Sequence, residues 1–263
     1  MSLVMTPAVV LRTYRYSETS KVVRLATRDL GVQSAIAKGA LRPKSRFGAG
    51  LELLSEGMAQ LYHRDSRELQ TLAAFDVEQL RRELARDLGR FAAAAALAEL
   101  MVQLAPPAPL PAAYDALITG LDALVRVPLE DTDAAGMRAL WGLLGVLGFE
   151  PSLRRCVRDG TRIEADGAPV AFSTAEGGVV CEACLAAKPP VTSTRLPPRA
   201  WHDLLDLLNP KVPLPTLDGA HAAAHRRLAA RFVRHHLDDR GDGTLPALAF
   251  WERRAWAPPS AAS

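Results

Sequence analysis

Five short apolar segments within the first 77 residues constrain the fold most strongly. They are rich in Val, Leu, Ile and Thr, which favour β-strands, and they cover residues 8–14, 21–27, 32–37, 53–63 and 69–75. Asp29-Leu30-Gly31 separates the second segment from the third and suits a tight hairpin in which glycine adopts a positive φ. Five strands in so few residues predict a barrel of the OB type, although an SH3-like barrel fits the same pattern.

A helical pattern replaces the strand pattern after residue 76. Residues 77–104 contain no proline and many Ala, Leu, Glu and Arg, with Asp76 as the expected N-cap and Pro106-Pro107 as the end. Further helices are predicted at about 111–126, 131–147, 197–208 and 218–237. The predicted fold class is therefore α+β, with an N-terminal five-stranded OB-fold barrel followed by an all-helical domain that carries a small zinc-finger-like insert.

The same patterns predict the domain boundaries. The predicted domains are a nucleic-acid-binding barrel at 1–78, a helical domain at 79–150 and 191–263, and the insert at 151–190. The insert is rich in glycine and contains strand-like pieces around Val170 to Phe172 and Gly178 to Val180. The last residues, 257–263, are expected to be frayed.

Positive charge is concentrated early in the chain, although the net charge is only +3. The stretch from Arg12 to Arg46 holds nine basic residues and two acidic ones, which suits a polyanionic partner. Its most basic part is a loop, residues 38–48, that places cations among Gly, Pro and Ser. Such a loop can follow a sugar–phosphate backbone while Phe47 or a strand aromatic stacks on a base. The alternative is a solvated loop whose charges aid solubility, but the basic residues in the preceding strands favour DNA binding.

Three tyrosines and a later basic helix could extend such a surface. Tyr14, Tyr16 and Tyr62 could stack on bases, or they could fill the barrel core. His221 and His225 have the spacing of a helical metal site, but the arginines around them favour a basic face for DNA or a protein, or a solvated face. The candidate DNA-binding residues are Lys21, Arg24, Lys38, Arg42, Lys44, Arg46, Arg226, Arg227, Arg231 and Arg234.

Four candidate metal ligands lie in the insert. Cys156-x-x-Asp159 and Cys181-x-x-Cys184 have the spacing of two zinc-knuckle turns, each of which aims two ligands at one metal. Three thiolates and one carboxylate could hold a structural zinc, a degenerate site could hold it weakly, or the thiols could be metal-free. Three cysteines in a chain of this length also favour a reducing compartment, which predicts a cytoplasmic protein.

Sequence motifs for catalysis and nucleotide binding are absent. The chain has no Gly-x-x-x-x-Gly-Lys-Ser/Thr loop, no Gly-x-Ser-x-Gly elbow and no His-Glu-x-x-His zinc motif. Its most apolar stretch, Phe91 to Ala98, is too short to span a bilayer. The sequence therefore predicts a protein that is not an enzyme and has neither a nucleotide cofactor nor a membrane partner.

These features together resemble the RecO family of bacterial recombination-repair mediators over nearly the whole chain. The most specific part is Ala37-Lys38-Gly39-Ala40-Leu41-Arg42-Pro43-Lys44-Ser45, followed by the cysteine insert, where the family's zinc pattern expects cysteine in place of Asp159. The resemblance implies a nucleoid-associated protein that binds single- and double-stranded DNA and anneals complementary strands. It also implies that the protein acts together with RecR and single-strand-binding protein to help load RecA onto single strands. The alternative is a protein–protein scaffold with incidental nucleic-acid binding.

Overall fold

The computed structural model describes residues 2–48, 50–164, 167–190, 192–238 and 244–254, so the predicted frayed end at 257–263 lies outside the described residues. The chain forms two compact units, Met1–Val125 and Arg126–Ser263. Among the described residues, the first unit holds a five-stranded barrel and two α-helices, and the second holds a three-stranded sheet and five α-helices. No helix within these ranges is long and apolar enough to cross a membrane.

The first unit begins with a closed barrel. Its strands are β1 (Ser2–Arg15), β2 (Lys21–Thr27), β3 (Gly31–Ala37), β4 (Glu56–His63) and β5 (Leu69–Gln79). They pair in the order β1-β2-β3-β5-β4, and only the pairing of β3 with β5 is parallel. This is the topology of an OB fold, so the predicted OB-fold barrel is confirmed.

Alternation of side chains along the strands builds the barrel core. Val23 and Leu25 on β2 and Leu61 on β4 are fully buried in one apolar cluster, because successive strand residues point to opposite faces of the sheet. Phe47, from the loop after β3, is only 3% exposed and packs in the same cluster. Phe47 therefore anchors the loop and cannot stack on a base, which leaves a strand aromatic as the stacking candidate.

The turn between β2 and β3 is the hairpin that the sequence predicts. Thr27 pairs with Gly31 in the register of the two strands, and the φ of Gly31 is +72°. A Cβ at Gly31 would lie 2.4 Å from the backbone oxygen of Ala108. Glycine is therefore required here twice, for the backbone conformation and for the close approach of a second segment.

Two helices complete the first unit, α1 (Leu88–Leu104) and α2 (Pro111–Arg126). The predicted start of the first helix at Asp76 is wrong, because Asp76 pairs with Met58 inside β5. A free strand partner on β4 outweighs the weak helical propensity of this segment. The helix instead begins after Asp87, whose carboxylate accepts a hydrogen bond of 2.9 Å from the backbone N–H of Arg90, the usual role of an N-cap.

A buried arginine fastens the second helix to the barrel. The side chain of Arg81 is fully buried and forms ion pairs with Glu56 on β4 and Asp122 on α2. The hydroxyl of Tyr114 donates to Glu56 at 3.4 Å, and burial beside that carboxylate raises the pKa of Tyr114. Because breaking a buried ion pair leaves an uncompensated charge, this cluster fixes α2 against β4.

The second unit packs helices around a small sheet. Its elements are α3 (Thr132–Val146), β6 (Val170–Ser173), β7 (Gly178–Val180), α4 (Glu182–Ala187), β8 (Thr194–Leu196), α5 (Pro198–Leu208), α6 (Gly219–Asp238) and α7 (Pro246–Arg253). The sheet order is β7-β6-β8. The ring of Phe232 on α6 lies 5.2 Å from that of Trp141 on α3 and 6.1 Å from that of Phe172 on β6. These contacts join the sheet and two helices in one core.

The sequence patterns locate α3, α5, α6, β6 and β7 to within a few residues, but they miss α4, β8 and α7. The missed helices are short, and helix α4 has only six residues, fewer than two turns of apolar periodicity. Its start depends on a local cap instead, because the Sγ of Cys181 accepts a hydrogen bond from the backbone N–H of Cys184.

Candidate nucleic-acid interface and metal centre

Strand register places two rows of side chains on the outer face of the barrel. In one row Arg12 on β1 lies opposite Arg24 on β2, which lies opposite Ser34 on β3. In the neighbouring row Tyr14 lies opposite Val22, which lies opposite Ile36 on β3. On β2 and β3 the alternate residues form the core, so these members of both rows face outward. On β1 a register shift between Val10 and Arg12 changes which residues face outward, and Arg12 and Tyr14 are exposed. They form what we call the outer barrel face.

Two arginines on this face oppose each other without a carboxylate between them. The guanidinium of Arg24 donates to the Oγ of Ser34 at 2.6 Å, and that of Arg12 lies over the ring of Tyr14, 5.0 Å from its centre. Neither arginine forms an ion pair within the described part of the chain. The outer barrel face therefore carries two positive charges that no carboxylate among the described residues neutralises, which favours an anionic partner.

The three tyrosines predicted as stacking platforms are all exposed. Tyr14 is 44% exposed on the outer barrel face, and Tyr16 is 62% exposed just after β1. Tyr62 is also exposed, but its cross-strand partner is Leu3 at the other end of β1. The structure therefore brings Tyr14, and not Tyr62, beside the opposed arginines.

The predicted basic loop follows directly after β3. Lys38, Arg42, Lys44 and Arg46 are all exposed, while Phe47 fixes the end of the loop in the barrel core. The backbone N–H of Leu41 also donates to the carbonyl of Thr19 at 2.9 Å. The loop is thus fastened at two points with its cations in solvent, and the half-buried Lys21 and Arg24 lie on the adjoining strand β2.

The predicted basic face of α6 is smaller than its sequence indicates. Arg226 is only 2% exposed and its guanidinium lies 2.7 Å from the carboxylate of Asp133, so it stabilises the core and cannot reach a phosphate. Arg234 forms an ion pair with Glu252, and Arg231 donates to the Oγ1 of Thr194 at 2.9 Å. Arg227 is exposed, because consecutive residues of a helix face different directions.

The two histidines of α6 do not form a common metal site. His221 lies 2.6 Å from the carboxylate of Asp218, whereas His225 is buried with its Nε2 at 3.8 Å from an oxygen of Asp203. Each histidine therefore faces a different carboxylate. The spacing of four residues along α6 places His225 in a buried position and His221 in a half-exposed one.

The four predicted metal ligands do come together. The ligand atoms of Cys156, Asp159, Cys181 and Cys184 lie within 4.8 Å of one another, and the three cysteines are free thiols. The Oδ2 of Asp159 lies 3.4 Å from the Sγ of Cys181 and 3.2 Å from that of Cys184. Three sulfurs and one oxygen converging in this way fit a tetrahedral zinc ion.

The carboxylate of Asp159 is oriented for this role. Its Oδ1 accepts a hydrogen bond of 2.9 Å from the backbone N–H of Thr161, which leaves Oδ2 facing the thiols. The Thr161 bond holds the pKa of Asp159 well below its usual range. Hydrogen bonding to Asp159, followed by burial, raises the pKa of Cys184 to about 12. A zinc ion bound here would replace the proton of this thiol.

Arg158 braces the two ligand turns, a role that the sequence does not indicate. Its guanidinium pairs with the carboxylate of Glu176 through Nε and a terminal nitrogen, at 2.6 and 2.7 Å. Its other terminal nitrogen donates to the carbonyl of Cys184 at 2.7 Å. The first turn also joins β7, since the N–H of Val157 donates to the carbonyl of Val179 at 2.9 Å. The ligands are therefore positioned by protein contacts as well.

Comparison with known proteins gives two family matches that together cover most of the chain. Residues 1–81 match the family model described as Recombination protein O N terminal, and residues 85–246 match that described as Recombination protein O C terminal. A DNA repair protein RecO from Symbiobacterium thermophilum is 35% identical over 70% of this chain and 72% of its own. The DNA repair protein RecO of Rubrobacter xylanophilus is 33% identical over 90% of this chain and 92% of its own.

Proposed function

The chain belongs to the RecO family, and from that premise we propose that it is a DNA repair and homologous recombination mediator that binds single- and double-stranded DNA. It acts without catalysis, in the bacterial cytoplasm at the nucleoid. Its relatives carry the name DNA repair protein RecO, which supports the repair role. The family resemblance supplies the proposed partners, RecR and single-strand-binding protein, and the proposed help in loading RecA.

The outer barrel face carries the DNA-binding part of this proposal. Arg12 and Arg24 oppose each other across two strands, and Tyr14 lies beside them with its ring exposed. Phosphates would neutralise the arginines, and a base could stack on the tyrosine. The exposed cations of the loop after β3 continue the same positive surface.

Strand annealing would follow from the same charges. Two complementary strands repel each other through their phosphates, and a protein that neutralises both strands lowers this repulsion. Base pairing then supplies the driving force. No covalent step is needed, which accords with a protein that has no nucleotide-binding loop in its sequence.

The salt dependence of DNA binding tests this proposal. If Lys38, Arg42, Lys44 and Arg46 contact four phosphates of a single strand, they contribute a slope of about −2.8 in log affinity against log salt. This corresponds to a loss of about 50-fold between 50 and 200 mM salt. Changing all four to Ala should flatten the slope by that amount and slow the annealing of labelled complementary strands.

A matched control removes the same charge elsewhere. Arg82, Arg86, Arg154 and Arg253 are also exposed, and changing these four to Ala should alter the slope much less. An equal effect of both quadruple variants would mean that only net charge matters. Tight binding of RecR at a salt concentration that abolishes DNA binding in the unmodified protein would favour the alternative, a protein–protein scaffold.

A further inference from the structure

A cavity of about 860 Å³ opens beside the outer barrel face. It lies within the first unit, between β2 and β3, the turn from β4 to β5, and the connector from α1 to α2. One wall is apolar and includes Val32, Pro107 and Pro109, while the other is polar and includes Arg24, Ser34 and Arg67. The volume is in the range of sites for small organic groups.

The connector that forms the apolar wall is held in place. It approaches Gly31 so closely that a Cβ there would lie 2.4 Å from the oxygen of Ala108. Nearby, the guanidinium of Arg28 pairs with both carboxylate oxygens of Asp115 on α2, at 3.1 and 3.2 Å. Its prolines further restrict the connector's backbone. The cavity is therefore formed before any ligand arrives.

A buried donor in the polar wall lacks an acceptor. Arg24 donates through one terminal nitrogen to Ser34, but its Nε is buried without a hydrogen-bond partner among the described residues. Leaving such a donor unpaired costs free energy, and a ligand with an acceptor would recover it.

The charges around the cavity favour a neutral ligand with both donors and acceptors. Asp65 and Glu68 line it together with Arg24 and Arg67, so a phosphate would meet two carboxylates. The edge of a nucleobase offers amino or ring N–H groups to carboxylates and ring or carbonyl acceptors to arginines. Thymine does this through its N3–H donor and its O2 and O4 acceptors. Its flat face can pack against the proline wall.

We propose that this cavity takes one unpaired base of a bound DNA strand, while the neighbouring cations hold the phosphates on either side. This inference rests on the proposed DNA-binding function. From Ser34 in the cavity wall to Lys38 at the start of the loop, four residues of strand span about 13 Å, within reach of one short single strand. In a duplex the base edges are already paired and stacked, so the cavity selects single strands.

Four single variants test the cavity. Arg24→Gln and Arg67→Ser change its polar wall, whereas Arg12→Gln and Arg64→Ser remove the same charge from exposed positions outside it. Fluorescence anisotropy of the full chain would measure affinity for a short oligothymidylate, for an abasic strand of equal length and for a duplex. Arg67 lies on an exposed turn, so its variant decides the question if Arg24→Gln melts early in circular dichroism.

We expect each cavity variant to bind the oligothymidylate about 5-fold or more weakly, the lower end of what one base contact contributes. For Arg67→Ser, binding to the abasic strand and the duplex should change less than about twofold. Arg24→Gln also removes a charge from the outer barrel face, so it should weaken binding to all three probes and to the oligothymidylate most. Arg12→Gln should weaken binding to all three probes equally, and Arg64→Ser should change none of them.

An abasic strand has no base to stack on Tyr14, and this loss is the same in the unmodified protein and in every variant. The difference in affinity between the unmodified protein and a cavity variant therefore measures the contribution of the cavity. Equal losses of Arg67→Ser on all three probes, or no loss on any of them, would overturn the inference. An unmodified protein that binds no probe would overturn the proposed function instead.

Discussion

The Oδ2 of Asp159 lies 3.2 Å from the Sγ of Cys184, at the position where a fourth thiolate would complete a zinc site. A carboxylate oxygen is a harder ligand than a thiolate and gives a weaker bond to zinc. The chain compensates with fixed geometry, because Thr161 and Arg158 hold the two turns before a metal arrives. The insert therefore combines a weak ligand with a preorganised site.

Replacing Asp159 with Cys should raise the affinity for zinc, because a softer fourth ligand takes the place of the carboxylate. Competition with a chromophoric chelator measures this affinity. Cobalt substitution gives a second measurement, since thiolate-to-metal absorption should grow as three sulfur ligands become four. Cys181→Ser, as the control, should lower both. Unchanged affinity and absorption in Asp159→Cys would show that Asp159 is not a ligand.

The brace at Arg158 should matter almost as much as the ligands. Arg158→Lys keeps the charge but cannot contact Glu176 and the Cys184 carbonyl with one planar fork. We expect a zinc affinity about 10- to 100-fold lower, the usual effect of losing a group that orients metal ligands. Arg162→Lys is the matched control, since Arg162 is exposed and the nearest distance from its guanidinium to the carboxylate of Glu164 is as long as 4.0 Å. Equal effects of the two variants would exclude a positioning role for Arg158.

The metal site also shows why some features can be predicted from sequence. Cys156, Asp159, Cys181 and Cys184 could be identified because each Cys-x-x turn is a local structure with a known spacing. Arg158 could not be identified, because its partner Glu176 is 18 residues away and becomes a neighbour only through folding. Local geometry is encoded in spacing, whereas long-range contacts are not.

The difference between local and long-range contacts also explains why β5 and the basic face of α6 differ from their predictions. Strands β1 to β5 follow from local apolar segments and turn residues. The end of β5 depends on pairing with β4, so the local sequence alone places Asp76 at the start of a helix. Arg226 and Arg227 are equivalent in the sequence. They differ because Asp133 on α3 pairs with one of them, and only tertiary packing decides which.

Tyr14 should contribute to single-strand binding by stacking. Tyr14→Leu removes an exposed ring beside Arg12 and should weaken binding of an oligothymidylate by about 1–3 kcal/mol. Tyr62→Leu is the control, since its ring is similarly exposed but lies opposite Leu3. Fluorescence titration with the oligonucleotide measures both. If Tyr62→Leu weakens binding more than Tyr14→Leu does, the DNA path does not follow the outer barrel face.

Gly31→Ala should destabilise the first unit through both strain and a clash. The position has a φ of +72°, and the new Cβ would meet the backbone of Ala108 at 2.4 Å. We expect a loss of about 1–3 kcal/mol in the free energy of unfolding. Gly39→Ala has a similar φ of +75° but no close backbone contact, so it should cost less. Urea unfolding of the two variants measures the difference in their free energies of unfolding. Equal losses of stability would show that the connector from α1 to α2 moves away from the new Cβ without an energetic cost.

Protonation of His225 should destabilise the second unit in mild acid. His225 is buried, and burial lowers its pKa despite the attraction of Asp203. In the unfolded chain the histidine titrates at about 6.5. As the pH falls through that value, the unfolded state therefore binds a proton that the folded state refuses, so stability is lost as the pH approaches the lower folded pKa.

The melting temperature, followed by circular dichroism, should fall between about pH 7.5 and pH 5.5. His225→Asn should flatten that fall, whereas His202→Asn, at an exposed position, should leave it in place. A pH dependence that survives in His225→Asn would assign the titration to another group.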